Sequence, residues 1–374
     1  ADVHIELAKQ TLNEYCGPCI YGYCVMCRLY GPIGFPQPTR LPPAAAAPAS
    51  NTFHVAVTDS LFVGSSLGMS VSDFDYVVHL ERCHFVQPDG DGVETAAAPA
   101  IQVVADATAT GAVAVLNSSV TGWRHAGQGA GLAVTAAAPV WVSVADSSFA
   151  SCRAAQGSAL RVAVHGAACA DSRLDVSDSR FHRNTASAST GGDVHVDASV
   201  CGASGVRVNV SGSLFFKSTA VGSGGALYVD GGMGATEGSN TLMGVASTRI
   251  ASSRGASGGS MHVLGTSVDV RDSTFEGNAA TTGGGGAVRA SRASVLTLER
   301  LSLRGNRAVG LGGDVLVRLV SLLGSPAHAQ DSPGVFVSVW VCACVRRLVM
   351  ALPSVVIWWD YLPRSRTALA ARLQ

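Results

Sequence analysis

Nine copies of one spaced pattern run through most of this chain, and their spacing constrains the fold more than any other feature. In the copy at 268–290, Phe275 is preceded by Val270 at five positions and by Val268 at seven positions. The same frame recurs around Phe62, Phe85, Val120, Phe149, Phe181, Phe215, Ile250, Phe275 and Leu303. Two slots in nine copies make eighteen positions, and all hold Val, Leu or Met. Because the chain is only 47% hydrophobic, this is a repeat.

Each copy predicts three short strands separated by turns. Apolar residues two positions apart indicate a strand with one buried face. We call Phe275 and its equivalent in each copy the reference residue. The first strand holds the two apolar residues that precede it at five and seven positions, and the second is the segment around it. The third strand follows a glycine pair, as Val288-Arg289-Ala290 does. One copy cannot bury its apolar face alone, so neighbours must stack. The sequence therefore predicts an all-β fold, a right-handed parallel β-helix solenoid of about nine coils, with irregular N- and C-terminal extensions.

Small polar residues recur three positions after the reference residue. The slot is occupied by Ser65, Cys152, Asn184, Ser218, Ser253, Asn278 and Asn306. A stacked row of such side chains at an inner turn is expected to bond the backbone of the next coil.

Three of these copies, those of Phe181, Phe215 and Phe275, carry one or both halves of a recognisable motif. Phe181 to Asn184 and Phe275 to Asn278 match FxxN, and the GGA-aliphatic motif follows at 224–227 and 285–288. This pairing resembles the repeat of the chlamydial polymorphic outer-membrane proteins, within the pectin-lyase-like β-helix class. The resemblance covers 51–320 and implies surface exposure, adhesion and passenger-domain architecture. It does not extend to a long C-terminal segment for a translocating barrel, so autotransport is not expected.

The pattern divides the chain into four parts. Residues 1–31 are rich in cysteine, 32–50 form a Pro/Ala linker, 51–320 are the repeats and 321–374 are an atypical tail. The tail is interpreted as a cap, a disordered segment or a membrane-associated segment. Two central arginines, Arg346 and Arg347, disfavour a single spanning helix by about 5–7 kcal/mol.

The N-terminal cysteines leave three interpretations open. Cys16, Cys19, Cys24 and Cys27 form CxxC-x4-CxxC. Four thiolates suit zinc, although the spacing is short. Disulfides or incidental thiols, and redox chemistry at the first CxxC, are the alternatives.

Four later cysteines belong to the repeats. Cys169 and Cys201 follow the third strand of adjacent coils, which stack about 4.8 Å apart. They are predicted to form a disulfide, which favours an oxidising, extracellular or cell-surface location. Cys83 and Cys152 occupy repeat slots and are expected to be buried structural thiols.

One row of residues is the best candidate for a binding site. On the third strand, the residue between the inward pair is expected to point outward in five consecutive coils: Arg161, His195, Tyr228, His262 and Arg289. Aromatic and guanidinium groups spaced about 4.8 Å apart suit an extended acidic glycan. The alternative is that these are ordinary solvated positions.

Catalytic and metal sites have weaker support. Asp175 and Asp269 share an outward slot three copies apart, about 14 Å by stacking and too far to act together. Asp193 and Asp314 share another slot, with uncharged residues between them, and no nucleophile–base pair emerges. The Asp89-Gly-Asp91 loop suits calcium or a plain turn. No cofactor is expected, with zinc at the N-terminal cysteines and calcium in loops as alternatives.

Composition narrows the function classes further. The chain has 26 basic and 26 acidic residues, so no nucleic-acid footprint is expected. The favoured interpretation is a non-enzymatic secreted or surface β-helix protein with an adhesive, binding or structural role, partnered by polysaccharide or a surface protein. A carbohydrate-active enzyme of the same fold and a membrane-anchored structural protein are the alternatives.

Overall fold

The computed structural model describes most of the repeat region and a few strands outside it. The described residues are 52–88, 96–166, 169, 171–188, 190–201, 205–232, 241–291, 295–310 and 312–320. Beyond these, it describes the strands Val3–Leu7, Phe336–Val341, Arg347–Ala351 and Trp358–Trp359. The four N-terminal cysteines, Cys16, Cys19, Cys24 and Cys27, and the Asp89–Asp91 loop lie outside the described residues.

The repeats wind into nine stacked coils, and each coil contributes one strand to each of three parallel sheets. These are numbered 1, 2 and 4 in the order in which the chain passes through them, because a shorter sheet 3 lies between sheets 2 and 4. Sheet 1 is Thr52–Thr58, Asp75–Glu81, Gly111–Leu116, Val140–Ala145, Arg173–Ser177, Arg207–Ser211, Leu242–Ala246, Ser267–Arg271 and Val295–Glu299. Sheet 2 is Leu61–Val63, His84–Val86, Ser119–Thr121, Ser148–Ala150, Arg180–His182, Leu214–Phe216, Arg249–Ala251, Thr274–Glu276 and Ser302–Arg304. Sheet 4 is Leu67–Val71, Ile101–Ala105, Leu132–Ala136, Leu160–Val164, Val194–Asp197, Leu227–Asp230, Met261–Leu264, Val288–Ser291 and Val315–Val320. The predicted β-helix is confirmed.

A fourth sheet runs between sheets 2 and 4 in the last six coils. Sheet 3 is Arg153–Ala154, Thr185–Ala186, Thr219–Ala220, Arg254–Gly255, Ala279–Ala280 and Arg307–Ala308. Three strands per coil is therefore too few for this part of the molecule. A strand of two residues is too short to show an alternating pattern, so the sequence predicts a turn at this place.

The core is built from rows of identical slots. The Phe rings stack nearly parallel, with ring centroids 5.3 Å apart for Phe149 and Phe181 and 4.6 Å apart for Phe181 and Phe215. All three rings are fully buried. In-register pairing makes this unavoidable, because each coil places its reference residue directly above that of the last.

The turn between sheets 1 and 2 explains the repeated Asp-Ser step. The residue three before the reference has a left-handed backbone, for example φ 49° at Asp178 and 50° at Asp272. Asp and Asn tolerate this conformation better than most residues. The serine that follows links coils: the Ser147 N–H donates to Ser179 Oγ at 3.2 Å. The periodic Asp-Ser steps are thus structural.

The polar row at the next turn also joins neighbouring coils. Asn184 Oδ1 accepts from the Cys152 N–H at 2.8 Å, and its Nδ2 donates to the Phe149 carbonyl at 3.0 Å. Asn278 Nδ2 bonds the Ile250 carbonyl in the same way, at 3.0 Å. Both asparagines therefore bond the backbone of the preceding coil, not that of the next coil as expected. Cys152, which sits in this row, is a free, buried thiol, and so is Cys83.

The glycine pair has two separate physical causes. The first glycine is left-handed, with φ 69° at Gly224 and 73° at Gly285. The second has no room for a side chain: a Cβ on Gly286 would overlap the carbonyl oxygens of Gly313 and Arg307. Close approach between successive turns therefore requires glycine.

The strands outside the repeats pair with the ends of the solenoid. Val3–Leu7 lies parallel to Leu67–Val71 at the start of sheet 4. Phe336–Val341 and Arg347–Ala351 lie antiparallel to the last strands of sheets 4 and 1, as a cap would. The N-terminal extension is thus not wholly irregular. No helix within the described residues is long and apolar enough to cross a membrane.

The loops after two adjacent strands of sheet 4 are joined covalently. Cys169 and Cys201 form a disulfide, with their Cα atoms 5.5 Å apart. Their sequence separation of 32 corresponds to one coil, so the bond ties neighbouring coils together.

Candidate functional site

The five candidate binding residues stand in one row on the outer face of sheet 4. Arg161 pairs in register with His195, His195 with Tyr228, Tyr228 with His262 and His262 with Arg289. The sequence brings them together because the strand alternation is the same in every coil.

The alternative that all five are ordinary solvated positions is wrong, because three of these side chains are buried. Arg161, His195 and His262 are only 8%, 5% and 9% exposed, whereas Tyr228 and Arg289 are half-buried. Each glycine-rich turn folds back against the base of the row, and Gly191 lies against His195. The rings also cover one another: the His195 and Tyr228 centroids are 5.0 Å apart, and those of Tyr228 and His262 5.5 Å.

Two carboxylates beside the row were missed by the sequence reasoning. Asp197 and Asp230 follow His195 and Tyr228 by two positions and are register partners in adjacent coils. Arg161 Nη2 lies 3.5 Å from Asp197 Oδ2. The alternation that placed the row also places these two residues on the outer face, so the signal was present in the sequence.

Each carboxylate is held by its own strand end. Asp197 Oδ1 accepts from the Ser199 hydroxyl at 2.7 Å and from the Ser199 N–H at 3.2 Å. Asp230 Oδ1 accepts from the Gly232 N–H at 2.9 Å and also bonds Tyr228. The acidic groups are therefore oriented before any ligand arrives.

The far end of the row forms a second small network. Arg289 Nε lies 3.4 Å from Ser291 Oγ, which lies 3.4 Å from His262 Nε2. The other ring nitrogen of His262, Nδ1, is buried and has no hydrogen-bond partner among the described residues. We define the outer row as Arg161, His195, Asp197, Tyr228, Asp230, His262, Arg289 and Ser291.

Burial decides the protonation states of the outer row. Burial, with the charge of Arg161, lowers the pKa of His195 to about 4. Burial and Arg289 lower the pKa of His262 to about 3. Burial and the nearby Asp230 and Asp197 raise the pKa of Tyr228 to about 12. Both imidazoles and the phenol are thus neutral at neutral pH.

The charges of the outer row balance. Burial alone would raise the pKa of Asp197, but the Ser199 hydrogen bonds and the charge of Arg161 help to lower it overall. Two arginines stand against two aspartates, so the formal charge is zero. A face without excess positive charge has no general attraction for an acidic chain.

The carboxylates weighed from the sequence have structural partners. Asp175 accepts from Trp141 Nε1 at 3.0 Å and Asn209 Nδ2 at 2.8 Å. Asp269 pairs with Arg271 at 2.8 Å. Asp193 is buried beside Asn184, and Asp314 accepts from Asn306 at 2.9 Å. Within the described part of the chain, no group of three or more His, Cys, Asp or Glu residues is arranged to hold a metal.

Comparison with known proteins adds no relative. No family model, curated protein or solved structure matches this chain. The likeness to the polymorphic outer-membrane repeat rests on its motifs alone.

Proposed function

We propose that this protein is a non-enzymatic, extracellular β-helix protein that binds an extended polysaccharide along the outer row. The observation that carries the proposal is the unbroken register of Arg161, His195, Tyr228, His262 and Arg289, one per coil. Five coils at about 4.8 Å per step present polar and aromatic groups along about 19 Å. A linear ligand fits a linear row.

A neutral chain suits this surface better than an acidic one. The aspartates balance the arginines, and Arg161 already lies 3.5 Å from Asp197. Sugar hydroxyls both donate and accept, so they can bond a carboxylate, a phenol or a guanidinium. An aromatic ring adds apolar contact area while keeping a polar tip. The expectation of an acidic ligand is therefore replaced by a neutral polysaccharide.

Contact with the ligand is assigned to the half-buried members of the row. Tyr228 and Arg289 retain surface, and the buried His195 and His262 pack against the Tyr228 ring from the two adjacent coils. Side chains held by packing lose little entropy on binding. The Cys169–Cys201 bond fits an oxidising, extracellular location.

The test is co-sedimentation of the full chain with insoluble neutral and acidic polysaccharides. Tyr228→Ala should abolish most binding to the neutral polymer. Phe216→Ala is the matched control, because Phe216 is a half-buried aromatic in the same coil but on sheet 2. Equal loss of binding to the neutral polymer in both variants, or no binding of the unmodified chain to the neutral polymer, contradicts the proposal.

A carbohydrate-active enzyme is the second candidate, favoured by the adjacent carboxylates Asp197 and Asp230 beside Tyr228. Acid–base cleavage needs one carboxyl group with a raised pKa, and the pKa of Asp197 is lowered instead. The same sedimentation samples are assayed for new chain ends. Release of ends that Asp230→Asn abolishes would replace the binding function with catalysis.

A further inference from the structure

Positive charge is concentrated on one face of an otherwise neutral molecule. In the last six coils, each coil runs seven residues from sheet 2 through sheet 3: 148–154, 180–186, 214–220, 249–255, 274–280 and 302–308. These segments hold eight Arg or Lys residues and one acidic residue, Glu276. The eight, here called the basic face, are Arg153, Arg180, Arg183, Lys217, Arg249, Arg254, Arg304 and Arg307.

The basic face is exposed and follows the solenoid axis. All eight side chains belong to exposed residues. Arg183 and Lys217 share one left-handed corner slot in adjacent coils, with φ 56° and 58°. Arg153, Arg254 and Arg307 share the first position of sheet 3. From Arg153 to Arg307 is five coil steps, about 24 Å.

Within the segments that the structure describes, one ion pair neutralises part of this charge. Arg249 pairs with Glu276 at 2.8 Å. Among the described residues, none of the other seven forms an ion pair, whereas Arg82 and Arg300 elsewhere each bond two carboxylates. Such a row creates a positive potential that attracts a polyanion.

The aromatic groups on the basic face argue against nucleic acid. His182 and Phe216 are its only outward-facing aromatic residues within the described segments. Their rings stack on each other at 5.5 Å, and Lys217 Nζ lies 5.1 Å from the Phe216 ring. Single-stranded nucleic acids are held by successive aromatic platforms as well as charge. The basic face has charge but no series of aromatic rings along the axis on which successive bases could stack.

We propose that the basic face binds a linear polysaccharide carrying sulfate or carboxylate groups. Arginine forks match the geometry of both oxyanions, and seven of the eight residues are arginines. The spacing along the axis lets one extended chain meet several coils at once. This site lies on sheets 2 and 3, apart from the outer row on sheet 4, and takes a charged rather than a neutral polymer. Binding at the basic face and binding at the outer row can therefore be tested independently.

The experiment measures binding of the full chain to fluorescent dextran sulfate by anisotropy, with neutral dextran as the uncharged control. The triple variant Arg183→Gln, Lys217→Gln, Arg254→Gln should bind at least about tenfold more weakly and show a shallower salt dependence. A second triple variant, Arg82→Gln, Arg207→Gln, Arg300→Gln, removes the same net charge from exposed sites outside the basic face. It should change the affinity by less than about twofold.

Three further arms identify the ligand. Polygalacturonate in place of dextran sulfate separates carboxylate from sulfate recognition. A single-stranded oligonucleotide and phosphatidylserine vesicles represent the other polyanions. Equal weakening in the two triple variants would show that only net charge matters and would overturn the proposal. Tighter binding to the oligonucleotide or to the vesicles than to either acidic polysaccharide would also overturn it.

Discussion

Asp193 is a carboxylic acid buried in the interior of the solenoid. Its carboxyl group is fully buried, Asn184 Nδ2 donates to it at 2.7 Å, and the Ser218 hydroxyl donates to its other oxygen. Burial raises its pKa from 3.8 to about 7, although both hydrogen bonds favour the ionised form. The folded protein therefore holds a proton that the unfolded chain releases above pH 3.8.

This proton makes stability depend on pH in a defined direction. The buried His195 and His262, whose pKa values are lowered, make stability rise with pH over the same range. Because its folded pKa is raised, Asp193 acts in the opposite direction: its own contribution to the free energy of unfolding should fall as pH rises from about 4 to about 7 and then level off. The loss is up to about 4 kcal/mol. Asp193→Asn should remove this dependence, since an amide keeps partners for Asn184 and Ser218 without a charge. Urea unfolding from pH 4 to 8 measures it, with exposed Asp178→Asn as control. An unchanged slope in Asp193→Asn would contradict the assignment.

Gly286 tests the close approach of successive turns. A methyl group there would overlap two backbone carbonyls, so Gly286→Ala should lower the free energy of unfolding by about 3 kcal/mol or more. Gly305→Ala is the control: Gly305 has φ 61°, but its Cβ would meet nothing within 4 Å. Only backbone strain of about 1 kcal/mol is expected there. Similar losses in the two variants, measured by urea unfolding, would refute the steric explanation.

The stacked rings of Phe149, Phe181 and Phe215 in sheet 2 are expected to contribute strongly to stability. Phe181 lies between Phe149 and Phe215 and is fully buried. Phe181→Ala should leave a cavity and cost about 3–5 kcal/mol. Arg180→Ala on the same strand, which is exposed, should change stability by less than about 0.5 kcal/mol. The comparison is made by thermal unfolding. A loss under about 1 kcal/mol for Phe181→Ala would mean that the coil collapses onto the gap.

The elements also show where a local pattern stops being informative. The strands of sheets 1, 2 and 4 were predictable because each repeats an alternating apolar slot in every coil. Sheet 3 was not, because its strands are two residues long. Its first position is nonetheless where Arg153, Arg254 and Arg307 gather. A strand that sequence reasoning treats as a turn thus helps to create the basic face.

The whole molecule is a one-dimensional stack in which each coil contacts its neighbours. Such solenoids respond locally to damage, since stability is close to a sum of coil and interface terms. In Phe181→Ala, amide hydrogen exchange should rise in the coils at 140–220 and stay low in the coil at 268–290. The readout is exchange followed by mass spectrometry under native conditions. Uniform deprotection along the chain would instead indicate a single cooperative unit.

The sequence by itself determined the solenoid, its core rows and the register of the outer row. The reason is that a two-residue alternation within a repeat fixes which slots stack, whatever lies around them. Only the tertiary structure decided that Arg161, His195 and His262 are buried, because that depends on how the glycine turns fold back over them. It also decided that eight basic residues share one exposed face. Proximity between coils is a property of the stack, and residues some thirty positions apart become neighbours only once the coils are closed.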